Sequence, residues 1–477
     1  MKILSTPCAI AVGCAFSILS PQVIAAGFQI HEHSANGLGR AFAGEAATVE
    51  NASILARNPA AMSRFGTISM SGQLTYINPS VDLKGTTTNH LAEGYNTLAP
   101  IASGLSGQQL PSVDSQRPAN AEDFAPSAVV PSFAVIVPIN ERWHVGLATF
   151  SNFGLSTEFS EGFNATEYGQ KTELITININ PNISYQVNQE LSIGLGVNAV
   201  YADGSIRSST PLYFNDDNAA YGAYNSIANG LNPQLPDGAQ LPNLPQIPGG
   251  AKIGDVSGDG WDWGWNIGLL WAPTPDTDIG LTYRSEVNVD LEGDFNSDLL
   301  QMSNVPGSLG LDLPALAEFA VNHRMDDQWS VQASLNYTGW GTFEELTVDF
   351  DETTPIGDDI LLKEENFEHS WRASLGLTYI MDEHWTIRGG YAYDDSPVKD
   401  EYRTISIPDT SRQWFTAGFT YELDKSSSID VGAAFIHGRK ESVHEEFLVD
   451  GSPITTLDAT LDKVNAYLFS AQYNYAF

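Results

Sequence analysis

Cysteine is almost missing. Cys8 and Cys14 are the two in 477 residues, and beyond them the chain has neither a disulfide frame nor thiol chemistry. Cations are scarce, with 22 Lys and Arg against 58 Asp and Glu and a formal net charge of −36. That excludes a nucleic-acid binder, because phosphate recognition depends on clustered cations. Long apolar runs are also missing: after residue 26 none reaches the roughly 18 residues that a helical membrane span needs. Catalytic and metal signatures fail as well. There is no Gly-x-Ser-x-Gly, His-Glu-x-x-His or phosphate loop, and Gly37-Leu38-Gly39 lacks the third glycine of a dinucleotide turn. Residues 255–260 resemble a calcium loop, but position twelve is Asn266 where Glu is required. His31 and His33 find no third ligand. The chain reads as a non-enzyme without metal or cofactor.

What is present is aromatic: 10 Trp, 18 Tyr and 22 Phe, within 42% hydrophobic residues and 42 Gly. A chain of that composition is not disordered throughout, and the rings need a surface to occupy. Residues 1–25 read as a secretory signal peptide: Lys2 is its only charge, residues 9–19 are apolar, and Val23-Ile24-Ala25 makes a small-residue cleavage site before Ala26.

Alternation of period two runs through the rest. Tyr467, Phe469, Ala471, Tyr473 and Tyr475 share one face of the last segment, and Ser470, Gln472 and Asn474 the other. Met70, Leu74 and Tyr76 alternate with Ser69, Ser71, Gln73 and Thr75 in the same way. Such strands exceed the five or six residues usual in a sandwich and fit the roughly 9–11 that cross a bilayer at a tilt. Short polar turns precede Trp143, Leu191, Ile279, Trp329, Trp385 and Ile429, while residues 78–125, 209–258 and 293–314 read as long polar connections. Short turns on one rim and long loops on the other are the asymmetry of an outer-membrane barrel. Six turns joining strands 2–3 to 12–13 give 14 antiparallel strands, an even number that closes the sheet. A barrel that wide needs a plug. Residues 26–65, rich in Gly, Ala, Asn and Ser, are the expected plug, and residues 66–477 the barrel.

Several segments are recognisable: Ala26-Gly27-Phe28-Gln29-Ile30, Gly37-Leu38-Gly39-Arg40-Ala41, Arg57-Asn58-Pro59-Ala60, Ser151-Asn152-Phe153-Gly154-Leu155, Leu281-Thr282-Tyr283-Arg284-Ser285-Glu286, Asp394-Asp395-Ser396-Pro397-Val398 and Asn474-Tyr475-Ala476-Phe477. Together they resemble the FadL family of outer-membrane long-chain fatty acid transporters. The resemblance implies a 14-stranded barrel with an N-terminal hatch, passive uptake of a long-chain fatty acid, and sideways exit at a kink in the third strand, here about residues 143–159 with Gly154 as the bend. It also implies that Phe28 reaches the inner pocket and that Asn58, Pro59 and Ala60 anchor the hatch, with Asp394 and Arg412 on the lumen face as partners. For the carboxylate, the family's Ser falls on Ser151 and its Arg next to Arg207, on Ser208. Its Lys position holds Glu368, an acid that repels a carboxylate, and inward-facing Arg372 is the substitute. Odd positions of the fifth strand, Arg207 included, face outward by parity.

Surface capture is expected at the apolar residues Leu299, Leu300, Met302 and Leu309, beside the Pro-rich stretch 233–248. The acids of 349–359 and 364–368 form a solvated face, bridged to lipopolysaccharide by divalent cations. The expected protein is an outer-membrane monomer for long-chain fatty acids; uptake of aromatic or aliphatic hydrocarbons, or a general porin, are the alternatives.

Overall fold

The structure is a computed structural model describing residues 27–236, 238–449 and 451–477; the expected signal peptide lies outside the described residues. Fourteen antiparallel spans form a closed barrel. They are β1 (Ser69–Asn89), β2 (Ala128–Pro138), β3 (Trp143–Phe150, then Gly154–Glu158), β4 (Lys171–Gln186), β5 (Leu191–Ser209), β6 (Lys252–Thr274) and β7 (Thr277–Arg284, Val287–Ser297). The second half holds β8 (Met302–Leu313, Leu316–Arg324), β9 (Trp329–Thr338, Glu345–Thr354), β10 (Gly357–Glu364, Ser370–Ile380), β11 (Trp385–Asp394), β12 (Arg412–Glu422), β13 (Ser427–Gly438, Glu441–Val449) and β14 (Ser452–Ala476). β1 pairs with β2 on one side and β14 on the other, so the sheet closes. No described helix is long and apolar enough to cross a membrane; the strands do so.

The burial pattern is that of a barrel in lipid. Leu74, Tyr76, Phe469 and Tyr473 lie exposed on the outer face, while Ser71, Gln73, Thr75, Ser470, Gln472 and Asn474 are buried on the inner one. Aromatic pairs mark two rims of the apolar band: Trp143–Tyr185, Trp329–Tyr379 and Trp385–Tyr421 near the short turns, and Tyr201–Trp261, Trp265–Tyr283 and Tyr337–Trp371 toward the loops. The turns are built by short polar side chains. Asn140 accepts from the backbone N–H groups of Arg142 and Trp143, Asn188 from Glu190 and Leu191, Asp326 from Gln328 and Trp329, and Asp382 from His384 and Trp385.

Above the membrane band the polarity inverts. Val287, Val289 and Leu291 of β7 and Leu309, Leu311 and Leu313 of β8 point inward and are buried, while Asn288, Asp290 and Glu292 face out. Breaks in β7 at 285–286 and in β8 at 314–315 change which parity faces the lumen. In β14 a register shift opposite Asp82 and Leu83 does the same, and the displaced Asp462 bridges Lys84 and Lys440 at 2.5 Å each. Water lies outside these extensions and an apolar chamber inside, so the apolar residues belong within.

All three expected loops are therefore corrected in whole or in part. Residues 293–314 form the ends of β7 and β8 and not a loop, because their apolar residues have an inner chamber to line. Residues 78–89 and 252–258 are likewise strand. The remaining long connections fold locally into α1 (His90–Ser106), capped by Asn89, and α2 (Phe214–Leu231). These helices pack through Tyr95, Tyr221 and Tyr224. The Pro-rich stretch lies along α2, not beside residues 299–311. Asn218 and Asn225 of that helix and its C-cap Asn232, spaced every seven residues, hydrogen-bond the backbone of Ile247, Leu244 and Leu241.

Candidate functional site

Residues 27–65 run as short turns against the inner faces of the strands. Wall glycines make the room. A Cβ at Gly194, Gly268, Gly280, Gly390 or Gly432 would overlap Pro59 and Ala60, Asn58, Ala46, Arg40 and Ala35 respectively, and one at Gly418 would lie 2.8 Å from the Cα of Gly39. Asn58 caps the turn that begins at Pro59 by accepting from the N–H of Ala60 at 3.0 Å, and donates to the carbonyls of Ala46 and Leu269. Ser192 donates to the Ala60 carbonyl at 3.0 Å. Asn58, Pro59 and Ala60 are thus held by β5 and β6. The expected pairing with Asp394 and Arg412 does not occur. Those two residues sit on β11 and β12, where Arg412 bonds Asp409 and approaches Asp394 only to 4.0 Å. The first acid network of this segment instead joins Arg40 to Glu45 at 3.1 Å and to Glu50 at 2.9 Å, with Arg388 at 3.2 Å from Glu50.

The start of this segment meets the break in β3. Phe150 pairs with Asn178 and Gly154 with Ile175, so residues 151–153 of β3 face only 176–177 of β4, which is a bulge. On the other side the ladder with β2 stops at Phe133–Thr149, leaving residues 128–132 of β2 without a β3 partner. Phe150 to Thr157 are buried on both faces, so this stretch has left the lipid-facing wall. The free edge is taken up by the N-terminal segment: Gly154 donates its N–H to the Phe28 carbonyl at 2.8 Å, and Ile30 donates to the Asn152 carbonyl at 2.6 Å. Counting up from Trp143 at about 3.3 Å per residue and a tilt near 40° puts the break about 20 Å above the turn, in the outer half of the bilayer.

Aromatic rings close the space behind it. Phe28, 1% exposed, lies edge-on to Trp340 at 4.5 Å, Phe343 at 5.2 Å and Phe153 at 6.0 Å. Trp340 and Phe343 enter the lumen on a turn where β9 interrupts at Trp340–Thr342. This cluster continues through Leu155, Leu174, Val256, Val289, Leu291, Phe295 and Leu311 as one packed apolar core, and these side chains fill the apolar chamber. Phe28 and Gly154 therefore meet in one place. Trp340 and Phe343 were missed in sequence, and the signal available was the end of alternation after Thr338.

Other expected residues are placed elsewhere. Ser151 Oγ donates to the Phe153 carbonyl at 3.0 Å and contacts Thr176 Oγ1 at 3.2 Å, so it is occupied within the bulge. Arg207 is on the outside, as parity requires, paired with Asp255 at 3.1 Å. Glu368 is exposed and pairs with Lys399 at 3.4 Å. Arg372 is buried in the lumen, donating to the Ala41 carbonyl at 3.0 Å and stacked on Trp414. Met302 and Leu309 belong to the inner chamber, and of the expected capture surface only Leu300 is exposed. An exposed cleft of about 680 Å³ does exist, but between the ends of α1 and α2, where Leu105, Leu110, Ile227 and Leu231 share the lining with Ser106, Gln108, Gln109 and Ser226.

Toward the loops, a second cleft of about 560 Å³ opens onto the chamber past Ile206, Val256, Phe295 and Leu361. Lys363 spans its rim, donating to the Tyr168 carbonyl at 3.0 Å, to Ser406 and to Glu445 at 3.1 Å. Burial pushes the carboxyls of Glu167 and Glu365 up to about 8. At the short-turn end, a cavity of about 770 Å³ is lined by polar groups, among them Glu50, Arg64, Asp278, Arg388, Asp430 and Asn474.

A closed 14-stranded barrel with an apolar outer band and an apolar chamber within is an outer-membrane transport protein by class. The chain belongs to the family described as outer membrane protein transport protein (OMPP1/FadL/TodX), whose model matches residues 16–477. It is similar to the long-chain fatty acid transport protein of Escherichia coli O6:H1, with 37% identity over 100% of this chain and 99% of that protein. Its fold matches a FadL homologue of Pseudomonas aeruginosa at a TM-score of 0.76 and 22% identity, covering 95% of this chain and 100% of that one. The Pseudomonas putida toluene transporter TodX matches at a TM-score of 0.60 and 20% identity, covering 89% and 94%. The protein resides in the outer membrane.

Proposed function

We propose that the protein takes up long-chain fatty acids by passive diffusion: cargo enters the chamber from outside and leaves sideways into the bilayer at the break in β3, with residues 27–65 as the hatch. The observation that carries this reading is the interrupted β2–β3 ladder, with the N-terminal segment on the free edge and the apolar chamber behind it. A route down through the short-turn cavity would drag an acyl chain past Glu50, Arg388 and Asp430, where each CH₂ gains nothing and the charged groups lose water. A sideways route keeps roughly 0.8 kcal/mol per buried CH₂ on passing into lipid. The similar Escherichia coli protein, named for long-chain fatty acids, supports the choice of cargo.

One observation favours uncharged hydrocarbons as the second reading: the basic partners expected for Ser151 are not there, since Arg207 faces out and Glu368 pairs with Lys399. Uptake of labelled oleate and labelled toluene by a strain carrying only this protein separates the two. Oleate uptake with little toluene supports the first; the reverse supports the second; neither above background overturns both.

A further inference from the structure

Three arginines in the lumen, Arg57 half-buried and the other two buried, have no carboxylate within ion-pair distance among the described residues. They are Arg57 on the hatch segment, Arg284 on β7 and Arg372 on β10, in a chain with 58 acids. Arg57 Nη2 donates to the His31 carbonyl at 3.1 Å, and its Nε has no partner. Arg284, 9% exposed, lies 4.9 Å from the ring of Phe150 and donates to Asn198 and to the Ala56 carbonyl at 2.8 Å, all neutral groups. Arg372 Nε and Nη1 are also unpartnered. A guanidinium does not deprotonate in a protein, and burying it without an anion costs several kcal/mol.

Arg57 and Arg284 share a small cavity of about 30 Å³, also lined by Gln29, Asn152, Glu318 and Asn336. By size it takes two waters or the two oxygens of a carboxylate. Glu318 is turned to Ser334 at 2.7 Å and to the N–H of Ala46, and the buried Asn336 Oδ1 is unpartnered. The apolar chamber lies next door. Gln29 and Asn152 adjoin Phe28 and Phe153, and Leu316, in the cavity wall, packs against the chamber cluster.

We propose that Arg57 and Arg284 form an anion site that holds the carboxylate of the cargo, with its acyl chain running past Phe28 and Phe153 into the chamber beside the β3 break. The identity of the anion as a long-chain carboxylate rests on the uptake reading above; the site itself rests on the unpaired arginines. Two guanidinium forks match a carboxylate in both charge and geometry. The site supplies inside the barrel the positive charge that Ser151, Ser208 and Glu368 do not.

Two measurements on the full-length protein in detergent test it. Crystals soaked in bromide should show an anomalous peak between the two guanidinium groups, whatever the cargo; no peak there overturns the site. Oleate and oleyl alcohol are then titrated into the wild type, Arg57→Gln, Arg284→Gln and Arg57→Lys. Oleate affinity should fall at least about tenfold in both Gln variants, recover in part in Arg57→Lys, and leave the alcohol unchanged. Equal losses for acid and alcohol, or no loss for either, overturn the headgroup role. Failure of both compounds to bind wild type removes the fatty-acid reading, and with it the carboxylate assignment, while the bromide result still decides whether an anion site exists.

Discussion

Gly154 shows how little separates the N-terminal segment from the break in β3. A Cβ there would sit 2.9 Å from Ile30 Cδ1, the far end of a flexible side chain, and 3.4 Å from the Leu174 carbonyl. The backbone is not in the left-handed region, since Gly154 is absent from the positive-φ glycines, so a β-branched residue fits the strand. Gly154→Val is expected to reach the membrane at normal levels and to transport oleate several-fold more slowly, because its methyls fill the space between Ile30 and β3. Immunoblotting against labelled uptake checks this; full uptake by a well-folded variant would contradict it. Arg40 makes a second residue-scale case. Replacing it with Met leaves Glu45 and Glu50 short of a buried partner, a loss on the order of 3–5 kcal/mol. Faster hydrogen exchange in residues 35–50, with barrel strands unchanged, is the expected result. In sequence, a break near Gly154 was expected only through the family resemblance, and its neighbour Ile30 was not legible, because their contact joins segments more than 120 residues apart.

At the scale of elements, the loop crown carries a pH response. Burial raises Glu167 and Glu365 to about 8, from 4.5 for the free carboxyl. Between those values the folded crown holds protons that the unfolded one has released, so its stability falls as pH rises through that window and levels off above about 8. Glu365→Gln should flatten this dependence. Hydrogen exchange of residues 357–370, corrected for intrinsic rates and compared at pH 6 and pH 8.5, reads it directly; an unchanged pH response in the variant would remove Glu365 as a source. Strand elements were legible wherever lipid lay on one side and the polar lumen on the other, as with Phe469 and Tyr473 against Ser470 and Gln472. The turns were legible because Asn140, Asn188, Asp326 and Asp382 must satisfy backbone N–H groups there. Legibility failed above the membrane band, where Val289 and Leu309 point inward and Asp290 outward, the reverse of the membrane rule. It failed again at residues 150–157, which are buried on both faces and carry no alternation at all.

For the whole molecule, the barrel's width and the fit of residues 27–65 within it set the expected conductance. The wall glycines seat residues 27–65 so closely that the wild-type protein should pass little ion current in a planar bilayer, unlike a general porin. Gly390→Val places bulk against the backbone of Arg40 and Ala41 and should raise conductance by loosening the hatch; currents equal to wild type from a correctly inserted variant would show that the seat tolerates the change. The strand count was legible from the six turns, but the arginine pair was not, since Arg57 and Arg284 lie on different elements and only the closed barrel brings them to one cavity. The central claim is the direction in which cargo leaves. A long-chain fatty acid bearing a photoreactive group at its tail, flashed during uptake and mapped by mass spectrometry, tests it most directly. Attachment at Val130, Phe153 or Leu155, on either side of the β2–β3 gap, is the predicted result. Attachment concentrated instead at Asn51, Arg388 or Asn474, in the short-turn cavity, would contradict it and place the exit through the hatch.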